Sequence, residues 1–394
     1  MTRRADAPQV VIVGAGVAGS VVAARLASRC DVVVLECGGN DDPIHHPTLA
    51  MRDTATFRTT PYPQGTGLGG GSRVNGLVFE QPPADYWESL VASGLDVFAD
   101  IEREYPVVEQ SAADGVVDQA LLAAHPRARP ALLATSSGAR RTAWDRCSPE
   151  RVTVHLGVEV SHVAMRGDRA IAVVTASGEE IHADEVVLCA GAIPSATIAA
   201  RSALIEPVAP VLDHPGVFIP LVPNESLHGS FAGALLLEDG VMTMSVNSDV
   251  SGLLVGLMSP HSIGRLHVGS TTITVDRGLL TDARDRASLA DAIRRTEVLL
   301  EHPALVALAG ASAALDVEDV SSRVGEGMWH ATGTMPMGTR ADSVLDGSGK
   351  LRTASNVWCM DASVFPENPP VPPQAAVMAS AGVLARRFLS LTTS

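Results

Sequence analysis

Residues 9–36 read QVVIVGAGVAGSVVAARLASRCDVVVLE and carry the strongest structural signal in the chain. QVVIV, at 9–13, is a continuous β-branched run of the kind that forms a strand buried on both faces of a parallel sheet. GAGVAG follows at once, then the helix-forming SVVAARLASR, then a second apolar strand, DVVVLE, ending on Glu36. Each glycine has its own task. Gly14 allows the tight turn after the strand, Gly16 lets backbone approach a pyrophosphate, and Gly19 lets the helix pack closely on the sheet. The phosphates then sit at the helix N-terminus, where unpaired N–H groups and the dipole favour an anion. Glu36, at the end of the second strand, offers its carboxylate to ribose hydroxyls and disfavours a 2′-phosphate. Three glycines alone say little. Strand, turn, helix, strand and terminal acid in this order specify a dinucleotide-binding Rossmann unit, without separating FAD from NAD.

Outside this stretch, bulk properties narrow the classes. A chain of 394 residues has room for two domains. With 46% hydrophobic and 19% charged residues it is globular in composition. The net charge of −15, with no basic patch interleaved with aromatics, argues against nucleic acid as a partner. The acidic balance reads as solubility. Cys30, Cys37, Cys147, Cys189 and Cys359 are scattered and form no CxxC pair. Neither a disulfide framework nor a metal site is expected, and reduced thiols in a cytoplasmic protein are. Arg3 and Arg4 precede an apolar run, as in an export signal, but the glycines inside that run already have a role. No stretch reaches about 18 apolar residues without a charge, so no membrane span is expected.

A second glycine-rich segment, GTGLGGGSRVNGLVF, occupies 65–79. Glycines so dense are costly inside a helix or strand and make sense where backbone lies against a ligand. GLGGGSRVNG resembles the flavin-contacting signature of the glucose–methanol–choline (GMC) oxidoreductases. The resemblance assigns Gly70, Gly71, Ser72 and Asn75 to FAD. It continues through VTVHLGVEVSHV (152–163), a strand pair in which Val160 matches the adenine-pairing valine. VVLCAGAIPSA (186–196) resembles the strand-to-turn signature that holds Ala190, although Ile193-Pro194-Ser195 stands where the family has Gly-Ser-Pro. LDHP (212–215), SIGRLHV (262–268), HATGTMPMG (330–338) and VWCMDASVFP (357–366) follow in family order, and Asp361 and Ala362 match residues on the ribityl chain and pyrophosphate.

The resemblance implies an α/β plus α+β fold: a discontinuous Rossmann-type FAD-binding domain (1–85, 151–222 and 325–394) and a smaller antiparallel-sheet substrate domain with a lid (86–150 and 223–324). The blocks are closer together than in most members, which marks a short one. Residues 97–149 show little β pattern and read as helical or loosely ordered. FAGALLLEDGVMTMSV and SGLLVGLMSPHSIGRLHV, within 231–268, read as strands. Residues 281–301 read as an amphipathic helix, and HPALVALAGASAA as another.

Oxidising an alcohol at a flavin needs a base for the hydroxyl proton, and histidine titrates in the right range. The family's histidine matches His330. His45 and His46 fall in loop-like sequence and have no such motif. The family's second polar residue, Asn or His, falls on Pro372, which has no donor. Asn368 and Gln374 are the neighbours that could substitute, and Gln374 is also placed at the cofactor. A histidine that attaches FAD covalently in some relatives is replaced by Val74, so non-covalent FAD is expected. The reading is thus an FAD-dependent enzyme acting on the CH–OH group of a small-molecule alcohol, with oxygen or another acceptor. The alternatives are a non-redox lyase on the same scaffold and a flavin-binding protein with a degraded site. The low aromatic content, 4%, argues against a sugar-stacking cleft.

Overall fold

The structure, a computed structural model, describes residues 7–39, 51–57, 60–221, 232–247, 251–309, 315, 324 and 328–392. His45 and His46 lie outside these residues, as does the end of the helix expected through 314.

β1 (Gln9–Val13), α1 (Val17–Leu26) and β2 (Asp31–Glu36) form the expected strand–helix–strand start of a parallel sheet. Four of five residues in β1 and five of six in β2 are buried, as strands covered on both faces must be. The sheet has five strands in the order Val152–Leu156, β2, β1, Glu185–Leu188, Val357–Cys359, all parallel. Three separate stretches of chain therefore build one layer. The apolar helix Gln374–Thr392 packs beside α1 and covers it. This helix is long and apolar enough to cross a membrane by length and composition, but 67% of its apolar window is buried inside the protein.

The expected strand pair at 152–163 is two strands that do not pair with each other. Val152–Leu156 joins the parallel sheet, while Val160–Arg166 opens an antiparallel sheet with Arg169–Thr175 and Glu180–His182. Gly157, at φ +73°, turns the chain between them.

A second antiparallel sheet runs Gly216–Pro220, Gly252–Leu257, Val241–Val246, Ala234–Glu238, Arg129–Pro130. Its edge strand corrects the reading of 97–149. That region holds the helix Val116–Ala124 and several two-residue strands, too short for a period of two to show in sequence. One face of the sheet packs on Val116–Ala124 and the amphipathic helix Ala283–Leu300, burying Val217, Val255, Leu289 and Ile293. The other face turns toward a cavity against the Rossmann layer. A third mixed sheet joins Val208–Val211, Gly264–Val268, Ile273–Asp276, Met51–Phe57 and Thr60–Gly65, so segments assigned to both domains share it.

Candidate active site

One cavity of about 610 Å³ runs from Glu36 and Val160, past the N-terminus of α1, to Asn75, Gln374 and His330. Gly14, Gly16, Gly70, Gly71, Ala190, Asp361 and Ala362 line it between those ends. The sequence assigned all of these to a cofactor, and the fold brings them together along a single wall.

The glycines shape that wall. Gly14 has φ +98°, and a Cβ there would lie 2.6 Å from the Cys189 carbonyl oxygen, so the crossing of β1 and the neighbouring strand end admits only glycine. A Cβ on Gly19 would run into the Gly14 carbonyl, which fits its packing role; Gly19 does not line the cavity. At Gly71 a Cβ would meet nothing within 4 Å, because its open side is the cavity itself. No side chain caps α1, whose N-terminus opens on the same space.

Glu36 is 4% exposed and does more than present a carboxylate. It accepts from the backbone N–H groups of Ala15 (2.8 Å), Gly38 (2.8 Å) and Gly67 (3.0 Å), tying the two glycine-rich loops together. Asp361 works likewise on the other side, accepting from Gly191 N–H (2.8 Å), Ser195 Oγ–H (2.5 Å) and Ser363 N–H (2.9 Å). Ser195, in the stretch that departs from the family pattern, also accepts from Ala190 N–H at 3.0 Å.

Ser72 corrects an expectation. Its hydroxyl donates to the Gly69 carbonyl (2.6 Å) and accepts from Ala143 N–H (2.9 Å), and it does not line the cavity. It fixes the loop from behind. Arg140, which no motif signalled, holds the same loop by donating to the Ser72 carbonyl (2.9 Å), Asn75 Oδ1 (3.0 Å) and the Asn75 carbonyl (2.8 Å). With Oδ1 so engaged, the Asn75 amide N–H donates to Gln374 Oε1. Gln374 Nε2 is buried without a partner, and Gln374 lines the cavity. A buried amide donor left unpaired beside an open space is a ligand contact in waiting.

Asn368, expected as a substitute for the missing polar residue, is elsewhere. It is not on the cavity wall; its Oδ1 accepts from Thr332 Oγ–H (2.6 Å), and its amide N–H reaches the Asp213 carbonyl at 3.4 Å. Pro372 is on the wall and donates nothing.

The histidine end holds the arrangement that sequence reasoning missed. His330 Nδ1 lies 3.0 Å from His214 Nδ1, with the rings edge to face at 86°. His214 is buried, and its Nε2 faces the Pro369 carbonyl at 3.1 Å. A carbonyl can only accept, so His214 carries its proton on Nε2 and presents a bare Nδ1. His330 must then donate from Nδ1, leaving Nε2 with its lone pair. Among the described residues Nε2 has no hydrogen-bond partner, and His330 lines the cavity. Burial, then the neighbouring His214 ring and the Arg277 charge, hold His330 well below the usual histidine range; burial foremost brings His214 down to about 4. Both rings are neutral at neutral pH.

The buried Asp213 seats the pair. One carboxylate oxygen accepts from the N–H groups of His214 (2.8 Å) and His330 (2.8 Å); the other accepts from Arg277 Nε at 2.6 Å. Arg277 also donates to the Met328 carbonyl, and Tyr62 Oη accepts from Ala331 N–H at 2.9 Å. The segment carrying His330 is thus fastened at Met328, His330 and Ala331. The LDHP block was legible as a resemblance; that its Asp and His hold the site needed the fold.

Comparison with known proteins agrees with this architecture. Residues 260–381 match the family model described as GMC oxidoreductase. Over that stretch the chain is similar to the glucose–methanol–choline oxidoreductases, a family whose members bind FAD. A dehydrogenase named eriK from Hericium erinaceus is 32% identical over 117 residues, covering 24% of this chain and 20% of that one. An oxygen-dependent choline dehydrogenase from Yersinia pestis is 36% identical over 111 residues, covering 22% and 19%. The match thus spans about a fifth of the length of these curated relatives. Among solved structures, a pyridoxine 4-oxidase from Mesorbium loti superposes with a TM-score of 0.84 at 20% identity, covering 97% of this chain and 99% of the other. A fungal aryl-alcohol oxidase gives 0.72 at 15%, covering 99% and 100%. At these identities the likeness is one of fold.

Proposed function

We propose that this protein binds FAD non-covalently and oxidises the CH–OH group of a small-molecule alcohol, with His330 as the base. The observation that carries the reading is the unpaired His330 Nε2 on the cavity wall, its tautomer fixed by His214. The cradle suits FAD. The pyrophosphate belongs at Gly16 and the α1 N-terminus, the ribose at Glu36, the adenine edge at Val160, and the flavin between Asn75, Gln374 and His330. Val74 also lines the cavity and offers no nucleophile for a covalent link. When bound, FAD supplies the acceptor for the carbinol hydride.

The chain's own part is positioning and one proton. A substrate hydroxyl donates to His330 Nε2, which orients the carbinol carbon and then takes the proton as the carbon–hydrogen bond breaks. The positive charge that develops on His330 is stabilised by its Nδ1–H, which donates to the bare Nδ1 of the neutral His214. Oxygen or another acceptor then completes turnover.

The test is anaerobic mixing of the purified yellow protein with a panel of alcohols. Bleaching of the visible flavin band is expected. His330→Ala should slow it by about 10²- to 10⁴-fold with flavin content unchanged. Acid precipitation should leave the flavin in the supernatant. Product formed while the flavin stays oxidised would instead point to a non-redox reaction on this scaffold.

A further inference from the structure

The cavity has two chemically different halves. Its charged lining residues, Glu36, Glu159, Arg201 and Asp361, all belong to segments around the cofactor cradle. The half beyond His330 is walled by the antiparallel sheet, and there the register places Phe218 opposite Leu254 and Leu254 opposite Met244. All three line the cavity, with Met242 and Val246 two residues either side of Met244 on the same face. Their alternates Val217 and Val255 go to the helix-covered core on the other face. Gly216 and Gly256, paired across the same two strands, leave room for Met328; a Cβ on Gly216 would sit 2.8 Å from its Sδ. Met328 thereby closes the wall two residues before His330.

Among the described residues none of the strand side chains on this wall can hydrogen-bond; the half-exposed Trp329 beside His330 carries an indole N–H, and Pro372 removes a donor from the wall's edge. A polar group held against these strands loses its water and gains no partner from them in return. Three unbranched methionines with adjustable side chains suit a body of apolar, irregular or variable shape.

We propose that the substrate is an uncharged alcohol whose single polar group is the hydroxyl being oxidised, carried on an aliphatic or alicyclic body. Polyols, sugars and alcohols bearing an ammonium group are excluded by the same wall. This rests on the proposed alcohol oxidation, and the hydroxyl is the one group with a partner, His330 Nε2.

The test uses the FAD-loaded protein under anaerobic conditions with 1-butanol, 1-hexanol and 1-octanol against choline and glucose. A separate binding arm uses 2-methyl-2-octanol, which has no carbinol hydrogen, followed by its perturbation of the flavin absorption spectrum. The expected result is a second-order rate constant for flavin reduction that rises about fourfold per added methylene until the wall is filled. Choline and glucose should be slower than 1-octanol by more than a hundredfold, and 2-methyl-2-octanol should bind. Faster reduction by choline or glucose overturns the inference while leaving alcohol oxidation standing. Binding of 2-methyl-2-octanol with no reduction by any alcohol supports the apolar site and sinks the oxidation reading. Absence of both binding and reduction overturns the inference.

Discussion

His330 is a base only if its proton sits on the right nitrogen, and that choice is made one residue away. The chain of acceptors runs from the Pro369 carbonyl to His214 and from His214 to His330, and each link fixes the tautomer of the next. His214 therefore acts as a positioning residue. Replacing it by Phe removes the acceptor for His330 Nδ1 and frees the ring to place its proton on Nε2; flavin reduction by alcohol should slow about 10- to 100-fold with flavin content retained. His214→Asn keeps an oxygen near the Nδ1 position and should restore most of the rate. Equal losses in the two variants would show a packing role alone. The pH profile gives a second readout. Since His330 is held below the usual histidine range, the reduction rate should stay level through neutral pH and fall on an acid limb below pH 6.5. A limb centred at 7 or above would contradict a neutral base. Little of this was legible in sequence. His330 stood out through its motif, but the Asp213–His214 pair, Arg277 and His330 are far apart in the chain and meet only in the fold. Asn368 looked like a replacement for the missing polar residue by proximity in sequence, yet its amide faces Thr332 and Asp213.

At the scale of elements, the two glycine-rich turns are the parts most legible from sequence, because their constraint is local. A strand that ends in a left-handed glycine beside another strand has one solution, and the pattern of 14, 16 and 19 announces it. Gly14→Ala combines φ +98° with a Cβ at 2.6 Å from the Cys189 carbonyl. It should destabilise the protein by about 2 kcal/mol or more and yield protein purified with little flavin. Thermal melting and the flavin-to-protein absorbance ratio check this, and wild-type values on both would refute the assignment of that turn. Longer-range supports of the same loops were not legible. Arg140 clamps the Ser72–Asn75 turn from a stretch whose two-residue strands carry no period. Ser72 reads as a cofactor contact by motif, but its hydroxyl is spent on Gly69 and Ala143.

At the scale of the whole molecule, the parallel sheet draws strands from three stretches, and the family blocks anticipated that discontinuity. The sheet shared by Val208–Val211, Gly264–Val268 and Met51–Phe57 was not anticipated, because strand pairing between distant segments leaves no mark on either sequence. The buried His214 also ties global stability to pH. His214 titrates near 4 in the fold against 6.5 unfolded, so the unfolded chain binds the proton first as pH falls. Its contribution is fully present above pH 6.5 and is lost toward pH 4, amounting to about 3 kcal/mol. The drop in melting temperature between pH 7 and pH 4.5 should accordingly be smaller in His214→Asn than in the wild type; an equal drop in both would remove His214 from that dependence.

The central claim joins these scales: a neutral His330, seated by His214 and Asp213 beside an FAD cradle, takes the proton of an alcohol. Anaerobic stopped-flow mixing of the yellow protein with 1-octanol, run in parallel on wild type and His330→Ala, tests it most directly. The expected result is bleaching of the wild-type flavin and a rate about 10²- to 10⁴-fold lower in the variant at equal flavin content. Bleaching of His330→Ala at the wild-type rate would contradict the claim.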